Sequence, residues 1–333
     1  MPTLNERAHE LANAMAADTD RLGIAVHTLP CGTRIIDCGV KATGSVEAGV
    51  RLAEVCTAGL AIVDVLPEKG GRTYPGGGFF DPSPLYQFLG TKYVFVNSDN
   101  PVAACMASQY AGWKITGKDF FAMGSGPMRA AAGEEELFNA IDHREKAERC
   151  VGVLECSQMP TEEACLDIAE KCGISPNQLT LLIARTSSAA GTLQIVARSL
   201  ETALHKLHEL GFDLSLIQSG FGVAPLPPLA DDDITAIGWT NDAILYGGWV
   251  GLFVTADEEL IKNVGPRVPS SASPDFGRPF GEIFKSYGGD FYAIDPMLFS
   301  PAQIGFVNTD HFHDMQYGRL APEVLVASFG SRL

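Results

Sequence analysis

The eight cysteines form no CxxC pair. Cysteine spacing therefore gives no zinc-ribbon or thioredoxin-like signal. In a reducing compartment residues 31, 38, 56, 105, 150, 156, 165 and 172 read as free thiols, many of them buried. Positive charge is scarce as well: 24 Lys and Arg stand against 40 Asp and Glu, a formal net charge of −16. A chain of that sign repels phosphate backbones, which argues against nucleic acid as a partner. No uninterrupted apolar stretch is long enough to cross a bilayer. The opening MPTLNERAHELANAM has no basic segment followed by an apolar run, so no signal peptide is expected and a cytoplasmic location is. Two glycine-rich stretches also lack the residues that would give them chemistry. KGGRTYPGGGFFDPSP, residues 69–84, is not followed by Lys-Ser/Thr and is not a phosphate-binding loop. It reads as a connection packing against a neighbouring domain or subunit. Gly124-Ser125-Gly126-Pro127 is not a nucleophile elbow.

What is present is a large apolar fraction, 46% of 333 residues, enough for a sizeable core and two domains. The 35 glycines imply tight turns and close backbone approaches. Residues 5–17 read as a helix, 25–29 and 33–38 as a hairpin around Pro30-Cys31-Gly32, and 45–59 as a helix with Glu47 in its first turn. Residues 61–66 read as a strand. From residue 93 strands and helices alternate: strands at 93–96, 119–123, 151–155 and 179–184, helices at 101–112, 134–146 and 161–171. Later come a strand at 214–218, a Gly/Pro-dense loop at 219–228, a helix capped by Asp231-Asp232-Asp233 and stopped at Tyr246-Gly247-Gly248, and strands at 249–254, 305–307 and 324–326.

The centre of the chain is RTSSAAGTLQIVARSLETALHKLHEL, beginning at Arg185. Leu193, Val196, Ala197, Leu200, Ala203, Leu204 and Leu207 recur with the period of one long helix that buries a stripe. Beside that stripe Gln194, Arg198, Glu201, His205 and His208 fall within an arc of roughly 80°. Such a stripe reads either as solvated surface, with an ordinary Arg–Glu helix pair, or as a ligand-facing edge. Two features favour the second. Arg precedes Glu, the poorer order against the helix dipole, and the Thr186-Ser187-Ser188 entry offers hydroxyls and free N–H groups to a polar ligand. A separate pair, His311 and His313 between Asp310 and Asp314, reads as a metal-ligand candidate or as a polar surface loop.

Four stretches carry a resemblance: RTSSAAGTLQIVARSLETALHKL, SGFGVAPLPP, TNDAILYGG and SVEAGVRLAEVCTAGL. Together they resemble the methenyltetrahydromethanopterin cyclohydrolase family, in particular its bacterial, methylotroph-type members. The resemblance implies an α+β fold of two intimately joined α/β-type domains with the active-site groove between them. The expected division is a larger domain of residues 1–88 and 188–333, which carries the catalytic helix, and a smaller α/β sandwich of residues 89–187. It also implies hydrolysis of the cyclic methenyl cation of tetrahydromethanopterin to the N5-formyl compound, in one-carbon metabolism (formaldehyde oxidation), by a homotrimer using neither metal nor cofactor. Arg198 and Glu201 match the family's catalytic pair. Thr186, Ser187, Ser188, Gln194, His205, Ser219, Phe221, Asn241 and Asp242 are the expected substrate-binding positions, and His205, one turn beyond Glu201, reads either as a proton relay or as a structural hydrogen-bonding or solvated residue. The rival expectations are a metal-dependent amidohydrolase using His311 and His313, and a pterin-binding protein without catalysis.

Overall fold

The computed structural model describes residues 2–66, 91–311 and 313–330. Helix α1 (Leu4–Ala16) starts at a capping box: the Thr3 hydroxyl accepts from the Glu6 N–H, and the Glu6 carboxylate accepts from the Thr3 N–H. Strands β1 (Ala25–Thr28) and β2 (Arg34–Asp37) form the expected antiparallel hairpin. Ser45 caps α2 (Val46–Cys56) by accepting from the Ala48 N–H. Then follow β3 (Ile62–Leu66), β4 (Tyr93–Ser98), β5 (Trp113–Gly117), β6 (Phe120–Ser125), β7 (Cys150–Glu155), α3 (Glu162–Lys171) and β8 (Leu179–Ala184). The second half holds α4 (Ala189–Val196), α5 (Ser199–Glu209), β9 (Ile217–Pro225), α6 (Asp233–Gly247), β10 (Trp249–Val254), α7 (Phe280–Ser286), β11 (Gln303–Asn308), β12 (Asp314–Gly318) and α8 (Pro322–Phe329).

The strands make two mixed six-stranded sheets, ordered β1-β2-β8-β7-β6-β5 and β12-β11-β10-β9-β4-β3. The fold is α+β and two-domain. The first sheet takes its strands from residues 25–37 and 113–184; the second takes β3, β4 and all strands after residue 217. In the first, β2, β8 and β7 run parallel, with α3 crossing between β7 and β8. One apolar cluster, including Ile168 and Leu181, lies between α3 and that sheet. Another joins its opposite face to α1, α2 and the start of α4 through Ala12, Ile36, Leu52, Leu182 and Ala190. The largest core packs α4 and α5 against the second sheet, with Leu193, Leu200, Leu204, Val96 and Leu252 all buried. Helices α2 and α4 cross closely because Gly49 has no side chain: a Cβ there would lie 2.9 Å from Leu193 Cβ and 3.0 Å from Ala190 Cα. All eight cysteines are free thiols, and Cys31 alone is not fully buried.

Several expected elements come out differently. The strand over 214–218 opens as a 3-10 turn, Leu214–Leu216, and only from Ile217 is it strand. The helix over 134–146 shrinks to one turn, Leu137–Ala140; the chain beyond it is irregular, and Arg144 donates to the Gly133 and Phe138 carbonyls instead of joining a helix. The helix over 101–112 is a π-helix, Val102–Gln109. The loop at 219–228 is largely strand, since β9 runs through the glycines to Pro225. The strand at 324–326 is helix: Pro322 sits at its first turn, and Val324, Leu325 and Phe329 share a buried face, a spacing that a short apolar run leaves ambiguous. The glycine-rich connection of residues 69–84, and the expected boundary at residue 89, lie outside the described residues.

Asp242 ties three helices together. Fully buried on α6, it accepts from the Phe280 N–H at the start of α7 (2.8 Å) and from the Ser328 hydroxyl on α8 (2.5 Å). Burial pushes its pKa up to about 7. The folded state therefore holds a proton that the unfolded chain, titrating near 3.8, has already released. Stability from this group is highest below about pH 4 and falls through about pH 7, by on the order of 4 kcal/mol. Asp242→Asn keeps the Phe280 contact at its carbonyl oxygen, donates to the Ser328 hydroxyl where the carboxylate accepts from it, and removes the titration. Urea unfolding of both proteins at pH 5 and pH 8 should show the wild type losing more stability than the variant as pH rises.

Candidate active site

The predicted long helix breaks. Helix α4 ends at Val196, Ala197 and Arg198 form a turn, and α5 restarts at Ser199 with Arg198 as its N-cap residue. The Arg198 N–H bonds back to the Ile195 carbonyl, and the freed Ala197 carbonyl accepts from Gln109 Nε2 at 3.2 Å. Gln109 is fully buried at the end of the π-helix, so a side chain from another element caps the break. Strand β9 fixes the restart from the other side. A Cβ on Gly222 would lie 2.5 Å from Ser199 Oγ and 2.8 Å from the Leu200 nitrogen, so glycine lets α5 lie directly on the strand. The apolar period passes through the break without a skip because the turn advances the chain almost as a helix does.

The break changes the electrostatics of the pair. Glu201 now sits in the first turn of α5, where the helix dipole favours a carboxylate, so the disfavoured order expected along one continuous helix does not arise. Nor is the face solvated: the Arg198 and Glu201 side chains are 11% and 3% exposed. Arg198 Nε (2.9 Å) and Nη2 (2.8 Å) both bind Glu201 Oε2. Among the described residues Oε1 has no hydrogen-bond partner. Burial acts against the Arg198 charge and is the largest influence on it. The Glu201 carboxylate, the Cys56 thiol and Glu155 together outweigh it, and the guanidinium pKa is raised. Cys56 and Cys105 border the pair, and burial pushes both their pKa values up, so they are thiols there.

The carboxyl ends of the parallel strands supply the next layer. At the end of β7, Glu155 Oε1 accepts from the Thr186 hydroxyl at 2.5 Å. Burial raises its pKa, while Thr186 and Arg198 oppose the rise. At the end of β2, the buried Asp37 accepts four backbone N–H groups, those of Gly39, Val40, Lys41 and Ala42, and so folds the neighbouring loop. Glu155, Gln109 and Tyr110 were not legible as site residues. A carboxylate ending an apolar strand before a Cys-Ser sequence resembles an ordinary strand terminus, and the π-helix reads as a plain helix.

The other expected site residues divide into three groups. Gln194 is buried beside the break, and among the described residues its Oε1 has no partner. His205 stacks on Tyr110 (centroids 4.6 Å apart, planes at 18°), and burial lowers its pKa. These two, with Thr186, Arg198 and Glu201, belong to one region. Ser187 and Ser188 adjoin it with their hydroxyls already used: Ser187 donates to Asp233 at 2.7 Å, and Ser188 caps α4 and donates to the Arg185 carbonyl. Arg185 binds the same Asp233 with two nitrogens, which pins the entry loop to α6. The third group makes its recorded contacts with other parts of the fold. Ser219 and Phe221 point to the face of the second sheet opposite α5, where Phe221 packs on Phe95 and Trp249 (4.9 Å to the latter). Asn241 Nδ2 bonds the Ile237 carbonyl of its own helix, and Asp242 is the three-helix tie described above.

Among the described residues there is no group of three or more His, Cys, Asp or Glu able to hold a metal. His313 Nδ1 lies 3.1 Å from Glu258 Oε1 with more than half its side chain exposed, and the His311 N–H donates to Asn308 Oδ1. No helix among the described residues is long and apolar enough to cross a membrane.

A buried carboxylate gripped at one oxygen, in an α+β fold and beside the carboxyl ends of parallel strands, is chemically suited to acid–base work. The chain belongs to the cyclohydrolase family: the model described as Cyclohydrolase (MCH) matches residues 3–329. It is 44% identical over 320 residues to the methenyltetrahydromethanopterin cyclohydrolase of Xanthobacter autotrophicus, covering 96% of this chain and 90% of that protein. The similarly named protein of Methylobacillus flagellatus is 41% identical, covering 99% and 96%. That of Methanosarcina mazei is 37% identical, covering 100% and 99%.

Because Gly222 admits the helix, Gly222→Ala should force Ser199 and Leu200 off β9. Urea unfolding should show a loss of about 1–3 kcal/mol, the usual cost of overpacking a close contact.

Proposed function

We propose that the protein hydrolyses the methenyl-tetrahydromethanopterin cation to 5-formyl-tetrahydromethanopterin, with Glu201 as the water-activating base and Arg198 orienting it. The reading places the enzyme in cytoplasmic one-carbon metabolism, as a homotrimer that uses neither metal nor cofactor. The observation that carries the mechanism is the one-sided grip on Glu201. Both guanidinium contacts fall on Oε2, which leaves Oε1 for a water.

The methenyl carbon lies between two nitrogens and shares their positive charge, so it is electrophilic before any catalyst acts. It needs a water held on line and a place for that water's proton. A water on Oε1 meets both needs, and general-base action of this kind contributes about 10² to 10⁴ in rate. Arg198 stays charged, holds the carboxylate in one rotamer, and offers its remaining N–H donors to the forming formyl oxygen. Gln194 has a buried acceptor to offer and Thr186 a hydroxyl, and both lie beside the pair. Glu155 adds a second negative charge near Arg198, suited to a cationic substrate.

The test is loss of the methenyl chromophore on mixing substrate with purified protein in the presence of EDTA. Wild type should turn over at full rate. Glu201→Gln should lose about 10²- to 10⁴-fold in kcat. Arg198→Lys should fall as well, because a single ammonium cannot reproduce the two-nitrogen grip. An EDTA-sensitive wild-type rate would move the chemistry to a metal site, and binding without turnover would make the protein a pterin carrier.

A further inference from the structure

The hydrolysis proposed above releases a proton. Water oxygen bonds to the methenyl carbon, the bond from that carbon to one ring nitrogen breaks, and its electron pair stays with the nitrogen. Of the two water protons, one ends on that nitrogen and one leaves, so a cation and water give a neutral formyl compound and H⁺. Glu201 receives this proton at a position 3% exposed, where transfer directly to bulk water is obstructed.

The same helix face leads outward in two steps of one turn each. Glu201, His205 and Glu209 stand at successive i, i+4 positions on α5, and their side chains are 3%, 28% and 55% exposed. Neighbours at that spacing are about 5–6 Å apart at Cβ. His205 Nε2 lies 3.8 Å from Glu209 Oε1. The imidazole is also held in place. It stacks on Tyr110, whose other contacts include the Arg129 guanidinium at 5.0 Å from its ring. Arg129 is itself fully buried, binds Glu135 with two nitrogens (2.8 and 2.7 Å), and donates to the Met106 and Ser108 carbonyls of the π-helix. A fully buried arginine so engaged is more than a side chain needs to fill space, and it fixes the ring that fixes His205.

We propose that His205 carries the released proton from Glu201 to Glu209 and so to solvent, a role that rests on the hydrolytic reading above. The groups facing the imidazole are Glu201, Glu209, His208 and Arg198 from α5 and its cap, and Tyr110 from the π-helix segment, with Arg129 and Glu135 behind it. Burial is the largest influence on His205 and holds it neutral at neutral pH, ready to accept a proton and give it up. Tyr110, its own pKa raised to about 12 mainly by burial, stays protonated and acts as a platform.

Chromophore loss by wild type, His205→Gln and Glu209→Gln is followed across neutral pH in dilute buffer, with and without added imidazole. His205→Gln should lose about 10-fold in kcat with KM unchanged, and imidazole should restore the rate in a saturable way. Glu209→Gln, at an exposed position that does not endanger folding, should lose severalfold in dilute buffer and recover as buffer rises. Wild type should be indifferent to buffer. An unaltered His205→Gln rate beside an active wild type overturns the relay alone. So does a loss that imidazole leaves unrestored, which makes His205 a packing residue. Absence of wild-type turnover overturns the hydrolytic reading and the relay with it.

Discussion

The two-residue interruption between α4 and α5 is the constraint on which the site depends. Without it Arg198 and Glu201 would be mid-helix neighbours, with the carboxylate far from either helix end. The interruption gives the guanidinium a capping position and the carboxylate a first-turn position. It also frees a carbonyl, and that need recruits Gln109 from the π-helix. Gln109 in turn brings Tyr110, and Tyr110 brings His205. A backbone irregularity that costs hydrogen bonds is thus held by contacts from two other elements, β9 and the π-helix, and it organises every charged group near it.

The parallel strands give the site its second edge. Their carboxyl ends place Glu155 and the Thr186 loop against the α4 start, and the Asp37 carboxylate shapes the neighbouring turn with four backbone bonds. The hydroxyls of Ser187 and Ser188 are spent on this architecture. They hold the loop against α6 and the start of α4 and so fix the position of Thr186.

Much of this was legible. The hairpin, the capped helices, many of the strands and the Arg198–Glu201 spacing follow from period, caps and motif, whereas β5 and β12 do not. The break was not, because Leu193, Val196, Ala197 and Leu200 keep a helical spacing straight through it, and the cause lies in Gln109, some ninety residues away by way of a tertiary contact. Strand β9 was hidden for a related reason. Gly220 and Gly222 weaken a strand signal, yet they are there to admit α5, which only packing reveals. Helix α8 was read as strand because Val324, Leu325 and Val326 suit either state when taken alone. Phe221 packs and Asp242 tethers within distinctive motifs, and motif strength alone does not separate such roles from ligand contact.

Arg198 and Glu201 are paired, and beside them burial favours the neutral form of Glu155 while the Thr186 hydroxyl and the Arg198 charge favour its ionised form. Any further positive charge brought beside Glu155 would add to the Arg198 side of that balance. Such a charge and the Glu155 proton are linked by reciprocity: whatever favours the ionised carboxylate is itself held more tightly by it.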